Sequence, residues 1–104
     1  MQIVSIDFFT VPEESKVAFR EESHKVQEIV KGIPGLLEAY AYELMNGDSS
    51  YNFMSSAVWE SKEAFEAAGK VIWESFQKQG FNPQEVFAKL GVTRMRSEYT
   101  REAY

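Results

Sequence analysis

Residues 36–60, Leu-Leu-Glu-Ala-Tyr-Ala-Tyr-Glu-Leu-Met-Asn-Gly-Asp-Ser-Ser-Tyr-Asn-Phe-Met-Ser-Ser-Ala-Val-Trp-Glu, decide the fold. Two β-rich runs, 36–45 and 51–60, flank Asn46-Gly47-Asp48-Ser49-Ser50. Asn-Gly tolerates the positive backbone angles that a hairpin turn demands, so the pair reads as two antiparallel strands. Upstream, Gly32 and Pro34-Gly35 close a helix that starts near Pro12 and runs to about Lys31. Glu13 and Glu14 stand at its positive end, and Phe19, Val26, Ile29 and Val30 form its apolar face. Before Pro12, residues 2–11 are β-branched and aromatic and read as a first strand. Downstream, Ser61 caps a second helix with Phe65, Ala68, Ile72 and Phe76 at helical spacing, and Gly80 ends it. Asn82-Pro83 starts a short third helix that Gly91 closes, and residues 92–100 alternate as a last strand.

The order β-α-β-β-α-(α)-β is the ferredoxin-like arrangement, an α+β fold with an antiparallel sheet and helices on one face. With 104 residues and neither repeat nor linker, residues 1–104 read as a single domain. Both faces of strand one are apolar: Val4, Ile6 and Phe8 on one side, Ile3 and Phe9 on the other. Helices cover only one face, so the second is expected to pair with another copy of the sheet in a homodimer.

Composition removes several function classes. The net charge of −5 argues against a nucleic-acid partner and against docking to an anionic membrane surface. Cysteine is absent, which excludes disulfides, thiolate catalysis and Cys-ligated metals. No stretch approaches the ~18 apolar residues of a membrane span. Asp7 interrupts the only early apolar run and Lys16 is the first basic residue, so no secretory signal is expected and a cytoplasmic location is.

Alternation places Asp7 beside Phe9, and Ser55 and Ala57 beside Trp59. If these are the helix-facing sides, Asp7, Ser55 and Trp59 point into the space between the layers. A carboxylate there is expected to be desolvated, with its pKa raised toward that of a general base. Asp7 equally suits a structural hydrogen bond at a wet sheet edge. Trp59, at the end of its strand, offers an indole to a flat ligand, or fills core. Tyr40 and Tyr42 share a strand face and could present phenolic hydroxyls to the same ligand. Trp73, on the second helix, is a further aromatic candidate, although packing is the commoner use of such a residue. His24 falls opposite Phe19 and Val26, so it is expected in solvent, and a lone histidine holds no metal. No Ser-His-Asp arrangement, phosphate-binding loop or zinc motif is present.

Three segments carry a resemblance. Ile6-Asp7-Phe8-Phe9-Thr10-Val11-Pro12, Ile33-Pro34-Gly35-Leu36-Leu37 and Val58-Trp59-Glu60-Ser61-Lys62-Glu63-Ala64-Phe65 resemble, in order and spacing, the antibiotic biosynthesis monooxygenase family. That resemblance implies a dimeric α+β barrel with a pocket between sheet and helices in each subunit. It also implies cofactor-independent oxidation of electron-rich phenols, anthrones or quinols, in which the deprotonated substrate itself passes an electron to dioxygen. Asp7 would then serve as base and Trp59 as pocket platform, with Phe9, Tyr40, Tyr42, Ser55, Phe65, Ala68 and Trp73 around the substrate, and with no cofactor or metal. Ser55 and Phe65 stand where polyketide-oxidising relatives carry Asn and Tyr, and Ala68 where quinol-oxidising ones carry His. Asp7 at the Asn position, with no His beyond His24, speaks against haem degradation. The alternative function is a non-catalytic dimer that binds a small apolar metabolite.

Overall fold

The computed structural model describes residues 1–102. It contains four strands and three helices: β1 (Ile3–Thr10), α1 (Lys16–Val30), β2 (Leu36–Glu43), β3 (Phe53–Trp59), α2 (Lys62–Gln79), α3 (Pro83–Lys89) and β4 (Thr93–Thr100). The strands form one antiparallel sheet in the order β2-β3-β1-β4, which is the expected ferredoxin-like arrangement.

Local chemistry explains most boundaries. The Ser61 hydroxyl accepts from the Ala64 amide at 3.1 Å, and Gly80 ends α2 in the left-handed conformation. The Asn82 side chain accepts from the amides of Gln84 and Glu85 at the start of α3. Pro12 leads into a 3-10 turn at Glu13–Ser15 before α1 begins, so the regular helix starts later than the proline suggests. The Ser15 hydroxyl then donates to the Leu90 carbonyl at 2.6 Å, tying this turn to the end of α3. The β2–β3 connection is longer than the Asn46-Gly47 pair implies: the strands stop at Glu43 and Phe53. Asn52 ends that loop, and its side-chain amide exchanges two 2.8 Å hydrogen bonds with the main chain of Val11.

Gly35 is required at its turn. Its φ of +90° favours glycine, and a Cβ there would fall 2.5 Å from the Ala64 Cβ. The turn brings α2 against β2, and the Glu60 amide donates to the Gly35 carbonyl at 2.9 Å.

The helices lie on one face of the sheet, and two apolar clusters fill the interface. Phe9, Val11, Phe19, Phe53, Phe87 and Val92 form one, with Phe19 set 4.9 Å from Phe9 and 5.0 Å from Phe53 between ring centroids. Ile33, Trp59 and Ala68 form the other, against Ile3, Val30, Leu36 and Phe65. Such ring pairs contribute roughly 0.5–1.5 kcal/mol each beyond their buried area. The opposite sheet face carries no helix. The molecule is only 17 Å through its shortest axis, the depth of two layers.

Register fixes which side chains share the covered face. Four rows run across it, each naming β4, β1, β3 and β2 in turn: Arg94-Phe9-Phe53-Glu43, Arg96-Asp7-Ser55-Ala41, Glu98-Ser5-Ala57-Ala39 and Thr100-Ile3-Trp59-Leu36. The end rows are large and the middle rows, on β3 and β2, are serine and alanine. That contrast holds the two apolar clusters apart.

Candidate active site

A cavity of about 690 Å³ lies over the small middle rows, and a second of about 250 Å³ adjoins it toward Trp59. Asp7, Ser55, Gly69, Ile72 and Arg96 line both, so the two are compartments of one cleft between the sheet and helices α1 and α2. The outer compartment ends at Phe9, Phe19, Phe53 and Phe87; the inner ends at Trp59, Phe65 and Ala68. Large side chains on the sheet floor would fill this volume, so Ser55, Ala57, Ala39 and Ala41 make the cavity by being small. Gly69 does the same on α2, where an added Cβ would meet nothing within 4 Å.

The charged wall comes from β1 and β4. The Arg96 guanidinium donates from Nε to Asp7 Oδ1 at 2.9 Å and from Nη2 to Oδ2 at 3.0 Å, a bidentate pair. Arg94 approaches the same carboxylate, with Nε 3.5 Å from Oδ1. The Asp7 side chain is 13% exposed, whereas those of Arg94 and Arg96 are 36% and 44% exposed along the cleft. Hydrogen bonding to Asp7 raises the Arg96 pKa above its ordinary value. At the other edge of the cleft Glu43 pairs with Arg20 and with Lys16 of α1. Arg20 lies 5.5 Å above the Phe53 ring.

Asp7 shares a face with Phe9, and Ser55 with Trp59, as alternation implied, and that face is the covered one, which alternation left open. Of the two readings of Asp7, the structure shows the hydrogen-bonded one: Arg96 donates to both oxygens, and Arg94 adds an ionic contact to Oδ1. Asp7 and Trp59 lie at opposite walls. Trp59 pairs with Ile3, four residues from Asp7 along β1, which is roughly 13 Å at ~3.3 Å per residue. Trp59 is 3% exposed, and its Nε1 is buried without a hydrogen-bond partner among the described residues. That N–H is closed off from solvent, and Trp59 lines the inner compartment. Its ring centroid lies 6.3 Å from that of Phe65.

Phe9, Ser55, Phe65 and Ala68 all contact the cleft, although Phe9 and Ala68 are themselves packed in the two core clusters. Trp73 sits at the rim, 62% exposed. Tyr40 and Tyr42 pair with Ser56 and Met54 on the helix-free face, and both border the cleft at its β2 edge. A β-bulge between Leu36 and Glu38 is the reason. Leu36 faces the helices, and the extra residue passes that face to Ala39, Ala41 and Glu43. His24 is exposed, as expected, but stands on the outer rim of the cleft with Arg20 and Gln27.

Arg94 and Arg96 were not singled out from the sequence. The signal was present in Thr93-Arg94-Met95-Arg96-Ser97-Glu98-Tyr99, whose charges all fall on one face and whose Met95 and Tyr99 fall on the other. Among the described residues, no three His, Asp or Glu side chains gather into a metal-binding group. No helix among them is long and apolar enough to cross a membrane.

Comparison with solved structures shows the same fold in several proteins. SnoaB, a cofactor-independent oxygenase from Streptomyces nogalater, is 19% identical, with a TM-score of 0.69 over 99% of this chain and 95% of its own. A candidate monooxygenase from Shewanella loihica is 18% identical with a TM-score of 0.74, over 99% and 96% of the two chains. The heme-degrading protein Rv3592 from Mycobacterium tuberculosis is 25% identical, with a TM-score of 0.59 over 66% and 78%. No curated protein sequence matches the chain. The profile of antibiotic biosynthesis monooxygenases, however, matches residues 1–70, which span β1 to the first half of α2 with Asp7, Gly35 and Trp59 among them, and the chain belongs to that family.

Proposed function

We propose that the protein is a cofactor-independent monooxygenase of a small aromatic phenol, anthrone or quinol. The observation that carries this reading is a cleft with aromatic walls and one carboxylate–guanidinium cluster, Asp7-Arg96-Arg94, between them. A carboxylate has about four lone-pair sites, and the bidentate contact leaves acceptor capacity on each Asp7 oxygen. Asp7 takes a proton from the bound substrate, and Arg96 stabilises the anion that forms. That electron-rich anion gives one electron to dioxygen, and the substrate radical and superoxide combine into a hydroperoxide. For a methylene between aromatic rings, loss of water leaves a ketone: R₂CH₂ + O₂ gives R₂C=O + H₂O. The proton first held by Asp7 leaves with that water. Trp59 and Phe65 form the apolar end against which the ring system stacks.

Oxygen uptake by the purified protein against anthrones, hydroquinones and flavonoid-like phenols, with chelator and without added flavin, tests the reading. Asp7→Asn is expected to lower turnover by ~10²-fold or more, the usual scale of a general base. Unchanged turnover in that variant would remove Asp7 from the mechanism. A second reading, a non-catalytic binding protein, is favoured by the occupation of both Asp7 oxygens by Arg96. Saturable ligand binding with no uptake across the panel would establish it.

The open sheet face supports a homodimer in either case. Tyr40, Tyr42, Met95 and Tyr99 are exposed there, beside Val4, Ile6 and Phe8 of β1. Sedimentation should give a dimer that Tyr42→Glu dissociates; a monomeric wild type would refute the pairing.

A further inference from the structure

The outer compartment has a charge balance opposite to that of the chain. Arg20, Arg94 and Arg96 face Asp7 and Glu43 there, three guanidinium groups against two carboxylates, in a protein of net charge −5. The three cations are not equally committed. Arg96 spends Nε and Nη2 on Asp7. Arg20 is held by Glu43 from one side and by the Phe53 ring beneath it. Arg94 makes no hydrogen bond among the described residues; its one ionic contact is the 3.5 Å approach of Nε to Asp7. Both terminal nitrogens of its planar fork are therefore uncommitted. Arg94 lines the outer compartment and not the inner one, beside Phe9 in the register.

From this we infer that the ligand is an aromatic carboxylic acid, whose carboxylate is held by Arg94 at the outer end of the cleft while its rings lie toward Trp59. The guanidinium fork matches a carboxylate in geometry, and a partly desolvated site strengthens the contact. Neutralising the excess cation also removes the repulsion between Arg94 and Arg96, which share Asp7 between them. This inference rests on the cleft being the ligand site, as proposed above.

Isothermal titration calorimetry with anthraquinone-2-carboxylate and anthraquinone-2-carboxamide tests it. Both are already oxidised, so binding is read apart from turnover. The wild type is expected to prefer the carboxylate by ~10-fold or more, the scale of one charge-assisted hydrogen bond. Arg94→Gln should bring the carboxylate down to the affinity of the carboxamide and leave the carboxamide within ~2-fold, with partial recovery in Arg94→Lys. Equal affinity of both ligands for the wild type, or equal weakening of both by Arg94→Gln, would overturn the acid subsite while leaving the cleft as a ligand site. Failure of both ligands to bind would overturn the cleft reading and the acid subsite with it.

Discussion

Asp7→Asn separates what the ion cluster does for stability from what it does for chemistry. The substitution keeps the shape of the side chain and removes the charge that Arg96 grips at 2.9 and 3.0 Å. A fully buried pair broken from one side would cost ~3–5 kcal/mol, and a surface pair ~0.2–1. This pair lies between those limits. The Asp7 side chain is 13% exposed, but its two guanidinium partners are 36% and 44% exposed and rehydrate when released. Discounting for that exposure gives a loss of about 1–2 kcal/mol. For a domain of this size that is roughly 4–12 °C in the unfolding midpoint.

The decisive comparison is with Asp7→Leu/Arg96→Met. That double variant removes both charges and puts apolar groups on a floor already walled by Phe9 and Phe53. Replacing a partly buried ion pair by apolar groups is commonly neutral or stabilising. Calorimetric or circular-dichroism melts at neutral pH should therefore place the double variant at or above the wild type and Asp7→Asn below it, with turnover lowered ~10²-fold or more in both. A double variant as unstable as Asp7→Asn would refute the reasoning, because the cluster would then be a structural necessity rather than a charged site retained against the preference of the core.

Three further outcomes follow from the geometry. Gly69→Leu projects into open space on α2 and replaces a mid-helix glycine, so it should hold or raise stability by up to ~1 kcal/mol while abolishing binding of aromatic ligands; calorimetry and titration read the two effects. Gly35→Ala should cost on the order of 2–4 kcal/mol, ~1–2 from the left-handed backbone and the rest from the clash with Ala64, seen as a lower denaturant midpoint. The Glu43 pKa is lowered from 4.5, chiefly by its hydrogen bond from Arg20, so its stabilising effect is complete above that value and is lost as pH falls through the lower folded one. Glu43→Gln should flatten this acid limb of the stability curve, and added salt should shrink the difference; a limb of unchanged slope would remove Glu43 from the linkage.

The fold was legible because its punctuation is local. Ser61, Gly80, Asn82-Pro83 and Gly91 each act on the few residues around them, and each is found where its chemistry requires. The site was legible only as far as strand alternation runs unbroken. Along β1 and β3 it does, so the grouping of Asp7 with Phe9 and of Ser55 with Trp59 is legible, while the face the helices cover is not. In β2 a single bulged residue reverses the parity, and Tyr40 and Tyr42 follow it to the other face. No propensity marks that bulge in Leu36-Leu37-Glu38; it appears only once β2 is paired with β3. The Asp7–Arg96 pair joins residues 89 apart in sequence, a contact that depends on how β4 registers against β1.

β4 also shows why charge alone misleads. On an edge strand Arg94, Arg96 and Glu98 read as the wet side and Met95 and Tyr99 as the dry side. The structure reverses this: Arg94 and Arg96 line the cleft under the helices, and Met95 and Tyr99 are 44% and 49% exposed on the open face. The two observations have one explanation. A layer of helices that sealed down on the sheet would strip water from Arg94, Arg96 and Asp7, and burying charges costs several kcal/mol unless each is paired. Serine and alanine on β3 and β2, with Gly69 above them, instead leave a gap between layers that the bulky end rows keep apart, and Arg94 and Arg96 stay partly hydrated around Asp7. The small floor and the charged wall therefore form one device: filling the floor would strip water from the wall, and neutralising the wall would let the floor collapse. A ligand that satisfies both must be flat and apolar over the floor and acidic at the edge, and the carboxylate-to-carboxamide comparison measures the second requirement without disturbing the first.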